Sequence, residues 1–387
     1  MKNLKIFILA FGVFSIINAE MGVVGILPLI SENYQVSIST AGLLVSMFAL
    51  AVAFAGPTMP LFLSKMNRKY AMLLVLGLFT ICNFISAFAT SFSVLLIVRI
   101  LPAFFQPVYV SLAFSVAASS VSKEDVPKSA SKVMMGVSAG MVLGVPIVSY
   151  IANSTNLVIA MLFFAMVNAI AFIATIFLFP SMPVEHQMTY GEQLSVLKKS
   201  KTWISIIGVM LLNGSVFGVY SYISEYLTQV TEIPSQMISV ILFVYGIANI
   251  IGNIIAGRLL SVKPLKFVAI IPFCLGFLYI LQLFFGQFTL VSSILILVWG
   301  IIAGCIGNIN QYWLSTAVPK APDFANGLFL AATNLGTTIG ATIGGGIITT
   351  LGVSSIFLSG IVLLIGSIIF ILIRIKNENS QQKSVCY

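Results

Sequence analysis

Twelve apolar stretches, each long enough to cross a lipid bilayer, set the terms for this chain. They fall at about 7–30, 41–64, 71–90, 94–118, 133–152 and 157–179, then at 202–225, 237–258, 267–286, 291–316, 324–350 and 355–374. A helix rising 1.5 Å per residue needs about 20 apolar residues to span the hydrocarbon core. Backbone polar groups find no water there, so a single chain crosses as helices or as a closed barrel, and apolar runs of this length read as helices. Of the 387 residues 59% are hydrophobic and 7% charged, against roughly 45–50% and about 25% in a soluble domain. A water-soluble globule is excluded, and no room remains for a separate soluble domain. Lys2 and Lys5 ahead of an apolar run look like a leader, yet no small-residue cleavage site follows and the run continues to Leu29, so it is read as the first span.

Charge placement gives the expected orientation. With the amino terminus inside, every one of the 19 Lys and Arg residues except Arg99 lies in an inner segment, so both termini are expected in the cytoplasm. The net charge of +9 therefore belongs to membrane topology and not to a nucleic-acid partner. The polar interval 181–201 divides a six-helix bundle over 1–180 from a second over 202–375, followed by a cytoplasmic tail over 376–387. Gly136, Gly140 and Gly144 in the fifth span recur as Gly336, Gly340 and Gly344 in the eleventh, an offset of 200 residues, and Gly56 in the second is echoed by Gly257 in the eighth. Such a recurrence is what duplicated halves produce, with a binding site at the midplane.

Few residues have chemistry to offer. Among the acids only Glu20 sits deep in a span, and Arg99 is the one basic residue within one. Their expected depths differ by only ~7 Å at a helical rise, within reach of an arginine side chain. Two readings stand: Glu20 carries a coupling proton while Arg99 tunes it or holds substrate, directly or through water, or the two form a permanent ion pair fastening the first span to the fourth. The glycines at 136, 140 and 144 share one helical face, open to close backbone approach, and Pro146 is expected to bend that helix. Pro102 and Pro107 predict an irregular fourth span. Asn18, Gln106, Asn213, Asn308, Asn310 and Gln311, with Tyr220, Tyr222 and Trp299, are candidates for a substrate cavity, each equally able to satisfy a neighbouring helix. Glu225 is placed at a membrane interface and His186, the lone histidine, in a solvated loop. The four cysteines, Cys82, Cys274, Cys305 and Cys386, show neither disulfide nor zinc spacing. No GxxxxGK[ST] loop, metal cluster or catalytic triad is present in the sequence, so no enzyme and no cofactor are expected.

In order and spacing these residues resemble the twelve-span drug:proton antiporters of the major facilitator superfamily, in the bacterial branch with chloramphenicol, sugar and purine exporters. The likeness covers about 5–375. It rests on Glu20-Met-Gly-Val-Val-Gly-Ile-Leu-Pro28, on Gly56-Pro57 leading to Asn67-Arg68-Lys69, on Arg99, on Gly144-Val-Pro146, on Gly252-Asn253 with Gly257-Arg258, on Gln311, and on Asn334-Leu-Gly336 through Gly344-Gly345. The resemblance implies a proton-coupling role for Glu20 and Arg99, an exchange role for Gly144 and Pro146, and a gate on the inner side made by Gly56, Arg68 and Lys69. Where the superfamily loop commonly reads Asp-Arg-x-Gly-Arg-Arg, this chain has Ser64-Lys65-Met66-Asn67-Arg68-Lys69 and lacks the acid. The expectation is an all-α monomer in the bacterial cytoplasmic membrane, its two bundles rocking around a central cavity. It would export a small, drug-like or hydrophobic compound against protons, the hydrophobic character being suggested by the many phenylalanines. Rival expectations are export of a metabolite such as a sugar or purine, and a passive facilitator or uptake carrier.

Overall fold

The computed structural model describes residues 2–36, 38–184 and 190–385 and divides into two compact units, Met1–Tyr190 and Gly191–Tyr387. The regular structure of the described residues is helical. In the first unit the spanning segments are Leu4–Tyr34, Leu43–Phe62, Arg68–Ala87, Phe92–Ser119, Lys123–Ser154 and Leu157–Leu178. In the second they are Ser200–Gln229, Met237–Val262, Pro264–Phe285, Thr289–Ala317 and Val353–Glu378, with Pro322–Leu351 between the last two. By length and composition eleven of these qualify as membrane spans among the described residues. The chain is a multi-pass membrane protein. Pro322–Leu351 is as long as the others, at 30 residues, but its Gly, Thr and Asn residues dilute its apolar character. It packs along the first helix of its unit, so most of its weakly apolar face meets protein.

That packing is the most regular feature of either unit. In the first, a Cβ added at Gly136 would stand 2.2 Å from the Ala10 carbonyl oxygen, and one at Gly140 would stand 2.8 Å from Ile17. In the second, a Cβ at Gly336 would stand 2.3 Å from the Met210 carbonyl, and one at Gly340 would stand 2.2 Å from that of Gly214. Gly136 touches residue 10 and Gly336 touches residue 210, so the sequence offset of 200 is preserved as the same contact in each unit. Side-chain-free faces let helices close to backbone distance, where dispersion is gained along their whole length.

Three spans are broken where backbone chemistry asks for it. The first is α-helical over Lys2–Gly22, passes through a 3₁₀ turn at Val23–Ile26 and resumes at Leu27–Tyr34 with Pro28 in its first turn. The fourth runs as Phe92–Ala103, turns at Phe104 and Phe105, and restarts as Gln106–Ser119 with Pro107 in its opening turn. Proline lacks an N–H and is tolerated at such a start. The seventh divides into Ser200–Tyr220 and Ile223–Gln229. Pro146, by contrast, sits inside Val126–Ser154, which runs through it without a break.

The segments outside the spans carry helix of their own. The last helix runs from Ile356 to Val385, past the end of its apolar segment at Glu378. The interval between the units carries a short helix, Tyr190–Ser195, and a 3₁₀ turn, Val196–Lys198, while Glu185 and His186 lie outside the described residues, as does Cys386.

Candidate functional site

Glu20 lies in the last turn of Lys2–Gly22, where α-helix gives way to 3₁₀. The Ala19 carbonyl lies in the same last turn. Arg99 satisfies it: its Nη2 donates to Ala19 O at 2.6 Å. The arginine is only 3% exposed, and its guanidinium carbon lies 5.9 Å from the Phe48 ring and 5.8 Å from that of Phe164, two cation–π contacts. A cation at a helix C-terminus is also favoured by the macrodipole.

The Glu20 carboxylate has a different partner. Gln106 Nε2 donates to Glu20 Oε2 at 2.7 Å. The break after Ala103 makes Gln106 the opening residue of the second half of the fourth span, whereas Arg99 belongs to the first half. One interrupted helix thus supplies both groups. Among the described residues no ion pair within 4.0 Å joins Glu20 to Arg99, so the permanent ion pair is not what fastens these helices together. Glu20 itself is partly exposed, whereas Gln106 is buried and its Oε1 has no hydrogen-bond partner.

Asn18 is fully buried and neither atom of its amide is hydrogen-bonded. Its Oδ1 lies 3.3 Å from where a Cβ on Gly144 would stand, so Asn18 belongs to the glycine seam. Gly56 is buried in a helix that also contains Pro57 and Pro60. The loop before the third span is pinned to the end of the sixth. Asn67 Oδ1 accepts from Lys69 N at 3.0 Å and from Met182 N at 3.2 Å, Asn67 Nδ2 donates to Ser181 Oγ at 2.8 Å, and Lys69 Nζ donates to the Ile176 carbonyl at 2.8 Å. Arg68 enters through its backbone, with its N–H on Met182 O at 3.0 Å. Asn67 occupies the N-cap of Arg68–Ala87, a place to which Asn is well suited.

In the second unit the expected substrate residues mostly serve neighbouring helices. Asn213 Nδ2 donates to Thr333 O at 2.8 Å and Thr337 Oγ1 at 3.0 Å. Asn308 Nδ2 donates to Asn253 Oδ1 at 2.5 Å, and Gln311 Nε2 to Ser315 Oγ at 2.8 Å and Asn326 Oδ1 at 3.0 Å. No hydrogen bond joins any two of Asn213, Tyr220, Asn308 and Gln311 among the described residues. Asn310, fully buried, leaves both amide atoms without partners. Tyr222 donates to Ala341 O at 2.9 Å. Tyr220 stacks on Tyr245 with ring centroids 5.0 Å apart, and both meet the buried Trp299 edge-on. Glu225 is exposed and accepts from Gln229, one turn on in its own short helix.

Sequence reasoning overlooked Tyr245 and Tyr279, which complete this aromatic cluster, and misjudged Arg374. Assigned to an inner segment at the end of the last span, Arg374 is 1% exposed and bonded to three different helices. Its one sequence signal was Glu378, four residues on. Of the phenylalanines, Phe54, Phe62, Phe84, Phe177 and Phe284 are exposed, while Phe48, Phe79, Phe114, Phe164, Phe324 and Phe357 are buried.

A family profile described as Major Facilitator Superfamily matches residues 9–322. The chain belongs to the Major Facilitator Superfamily. It is accordingly a transporter of small molecules, not an enzyme, and needs no cofactor. Among its relatives, MFS-type transporter YtbD of Bacillus subtilis (strain 168) is 30% identical, the match covering 93% of this chain and 92% of that one. Inner membrane transport protein YdhP of Escherichia coli (strain K12) is 27% identical over 99% and 98% of the two chains. A protein named "Probable sugar efflux transporter" in Helicobacter acinonychis (strain Sheeba) is 26% identical over 96% of each. Of solved structures, the superfamily transporter FucP in its outward conformation superposes with a TM-score of 0.76 at 14% identity, over 95% of this chain and 98% of FucP, a likeness of fold alone.

Proposed function

We propose that this superfamily member is a proton-coupled exporter, working as a monomer in the bacterial cytoplasmic membrane with both termini inside. Glu20 carries the proton, and substrate and proton take turns at a site open alternately to either side. The observation that carries this proposal is the bond from Gln106 Nε2 to Glu20 Oε2. A carboxylate buried for structure alone would be expected to sit in a direct ion pair, since an intramembrane charge costs about 2.5–3.5 kcal/mol at a span centre. Glu20 instead holds one neutral donor, is partly exposed, and has a cation nearby that is already committed to Ala19 O. Such a group can gain and lose a proton without tearing out an ion pair.

In this scheme Arg99 positions the break in the first span, and Asn18 with the seam at Gly136, Gly140 and Gly144 guides its movement against the fifth. Arg68 and Lys69 hold the gate segment, with Gly56 and Pro146 in the helices that flex. The substrate is a small organic molecule. A drug-like, weakly polar compound is the first reading; a sugar-like metabolite is the second, favoured by the names of several relatives, the one from Helicobacter acinonychis among them. In the second unit, Tyr220, Asn213, Asn308 and Gln311 are the groups to examine for contact.

The test is accumulation of a panel of dyes, chloramphenicol and a labelled pentose in cells stripped of their own exporters, with and without a protonophore. Lower accumulation of one compound, dependent on the gradient and lost in Glu20→Gln, supports coupled export and names the substrate class. Transport insensitive to both changes replaces it with a passive facilitator.

A further inference from the structure

A second site lies far along the chain from Glu20. At one end of the second unit a cavity of about 660 Å³ is lined by Lys199, Ser200, Lys201 and Ile204 of the seventh span and the residues just before it, by Thr316, Ala317 and Pro319 at the end of the tenth, and by Arg374, Asn377 and Glu378 of the twelfth. Its volume lies in the range of small-molecule sites. Three cations and one carboxylate line it, so the wall carries an excess of positive charge.

The wall is rigid because Arg374 makes it so. Its Nε donates to Glu378 Oε1 at 3.1 Å, its Nη1 to Ser205 Oγ at 2.9 Å and to the Trp313 carbonyl, and its Nη2 to Thr316 Oγ1 at 2.8 Å. The guanidinium carbon sits 3.9 Å from the Trp313 ring centroid. One buried side chain thereby ties three spans together and spends four of its bonds doing so, out of five N–H donors. Lys201 Nζ meets the same Glu378 oxygen at 2.8 Å. Lys199 is exposed at the rim and forms no ion pair within 4.0 Å among the described residues. Ser200 and Asn377 add neutral polar groups, while Ile204, Ala317 and Pro319 give the cavity an apolar side.

We infer that this cavity binds a phosphate-bearing anion at the membrane surface, the headgroup of an anionic phospholipid. A cationic wall opposite an apolar one fits an amphiphile better than a bare ion, and the volume exceeds what inorganic phosphate fills. The site lies where Lys198, Lys199 and Lys201 lead into a span, which is where basic residues attract anionic lipid. Headgroup oxygens meet Lys199 and Lys201, the chains run down past Ile204, and Glu378 opposes the ligand by like charge. Bound lipid would brace the seventh, tenth and twelfth spans against one another.

Native mass spectrometry of the full chain in neutral detergent, titrated with phosphatidylglycerol or phosphatidylcholine, tests this. Phosphatidylglycerol is expected to be retained in preference, by about five-fold less for each of Lys199→Gln and Lys201→Gln, and by more than wild type for Glu378→Gln. These three surface-side changes leave the Arg374 bonds to Ser205, Trp313 and Thr316 in place, so folding is not at stake. Inorganic phosphate at millimolar concentration is the competing arm: if it displaces the lipid, the anion site stands but its ligand is free phosphate and the lipid assignment falls. Equal retention of the two lipids, or retention unchanged by all three substitutions, overturns the proposal.

Discussion

Arg99 binds the carbonyl of Ala19, at 2.6 Å, and not the carboxylate one residue further along. A positive charge is thus delivered next to Glu20 while the acid keeps its own donor, Gln106, from the far side of the break in the fourth span. In the proposed scheme position and titration fall to separate side chains, which makes their roles separable by mutation.

Glu20→Gln should leave the protein folded and in the membrane, because an amide can still bond Gln106, yet abolish efflux driven by a pH gradient. The check is gradient-driven transport set against substrate counterflow in the same vesicles, with counterflow retained.

For Arg99 the expectation is loss of stability as well as transport. Arg99→Leu removes a hydrogen bond from a charged donor and leaves the Ala19 carbonyl without that partner, a cost of about 1.5–3 kcal/mol. Arg99→Lys keeps the charge but has neither the planar fork nor the stacking surface that meets Phe48 and Phe164, and should recover only part of it. Thermal unfolding in detergent orders the three proteins.

Gln106→Leu separates positioning from packing. It deletes the donor to Glu20 at nearly constant volume, so a stability change of about 1.5–3 kcal/mol at most is expected, together with an altered pH profile of transport. An unaltered profile with slower transport at all pH values would make Gln106 a mere packing residue.

The seam supplies an internal comparison. Gly136→Ala and Gly336→Ala each force a Cβ onto a carbonyl oxygen, at 2.2 and 2.3 Å respectively, and overpacking of this kind costs about 1–3 kcal/mol. The two losses should be alike because the contacts are equivalent. Gly346→Ala, with nothing within 4 Å of the new methyl group, should be neutral.

At the pinned loop, Asn67→Ala removes an N-cap worth about 0.5–2 kcal/mol. Asn67→Asp restores the acceptor and should recover most of it, as read by thermal unfolding.

Much of this protein was legible before any coordinates. Helical spans announce themselves because lipid forbids alternatives, and the glycine recurrence survived because backbone contact tolerates nothing larger. Glu20 and Arg99 stood out because charge is so rare in spans, and Pro102 and Pro107 forecast the break that brings Gln106 to Glu20. What stayed hidden depended on direction. Asn213, Asn308 and Gln311 can face a cavity or a neighbouring helix at the same position in sequence, and here their hydrogen bonds go to neighbouring helices. Arg374 looked like a surface charge because nothing local reveals that Ser205, Trp313 and Thr316 converge on it. The phenylalanines carry little direction of their own, because hydropathy does not distinguish a side chain turned to lipid from one turned inward.

Helices that meet without side chains meet without rotamers. Between Ser200–Tyr220 and Pro322–Leu351 the glycines at 336, 340 and 344 each stand closest to a backbone carbonyl, those of Met210, Gly214 and Gly218. The glycines recur every four residues, which is one turn and about 6 Å of travel. A shift of one turn along the partner would carry each of these glycines to the carbonyl its neighbour faced, so this seam has the spacing of a track with even stops.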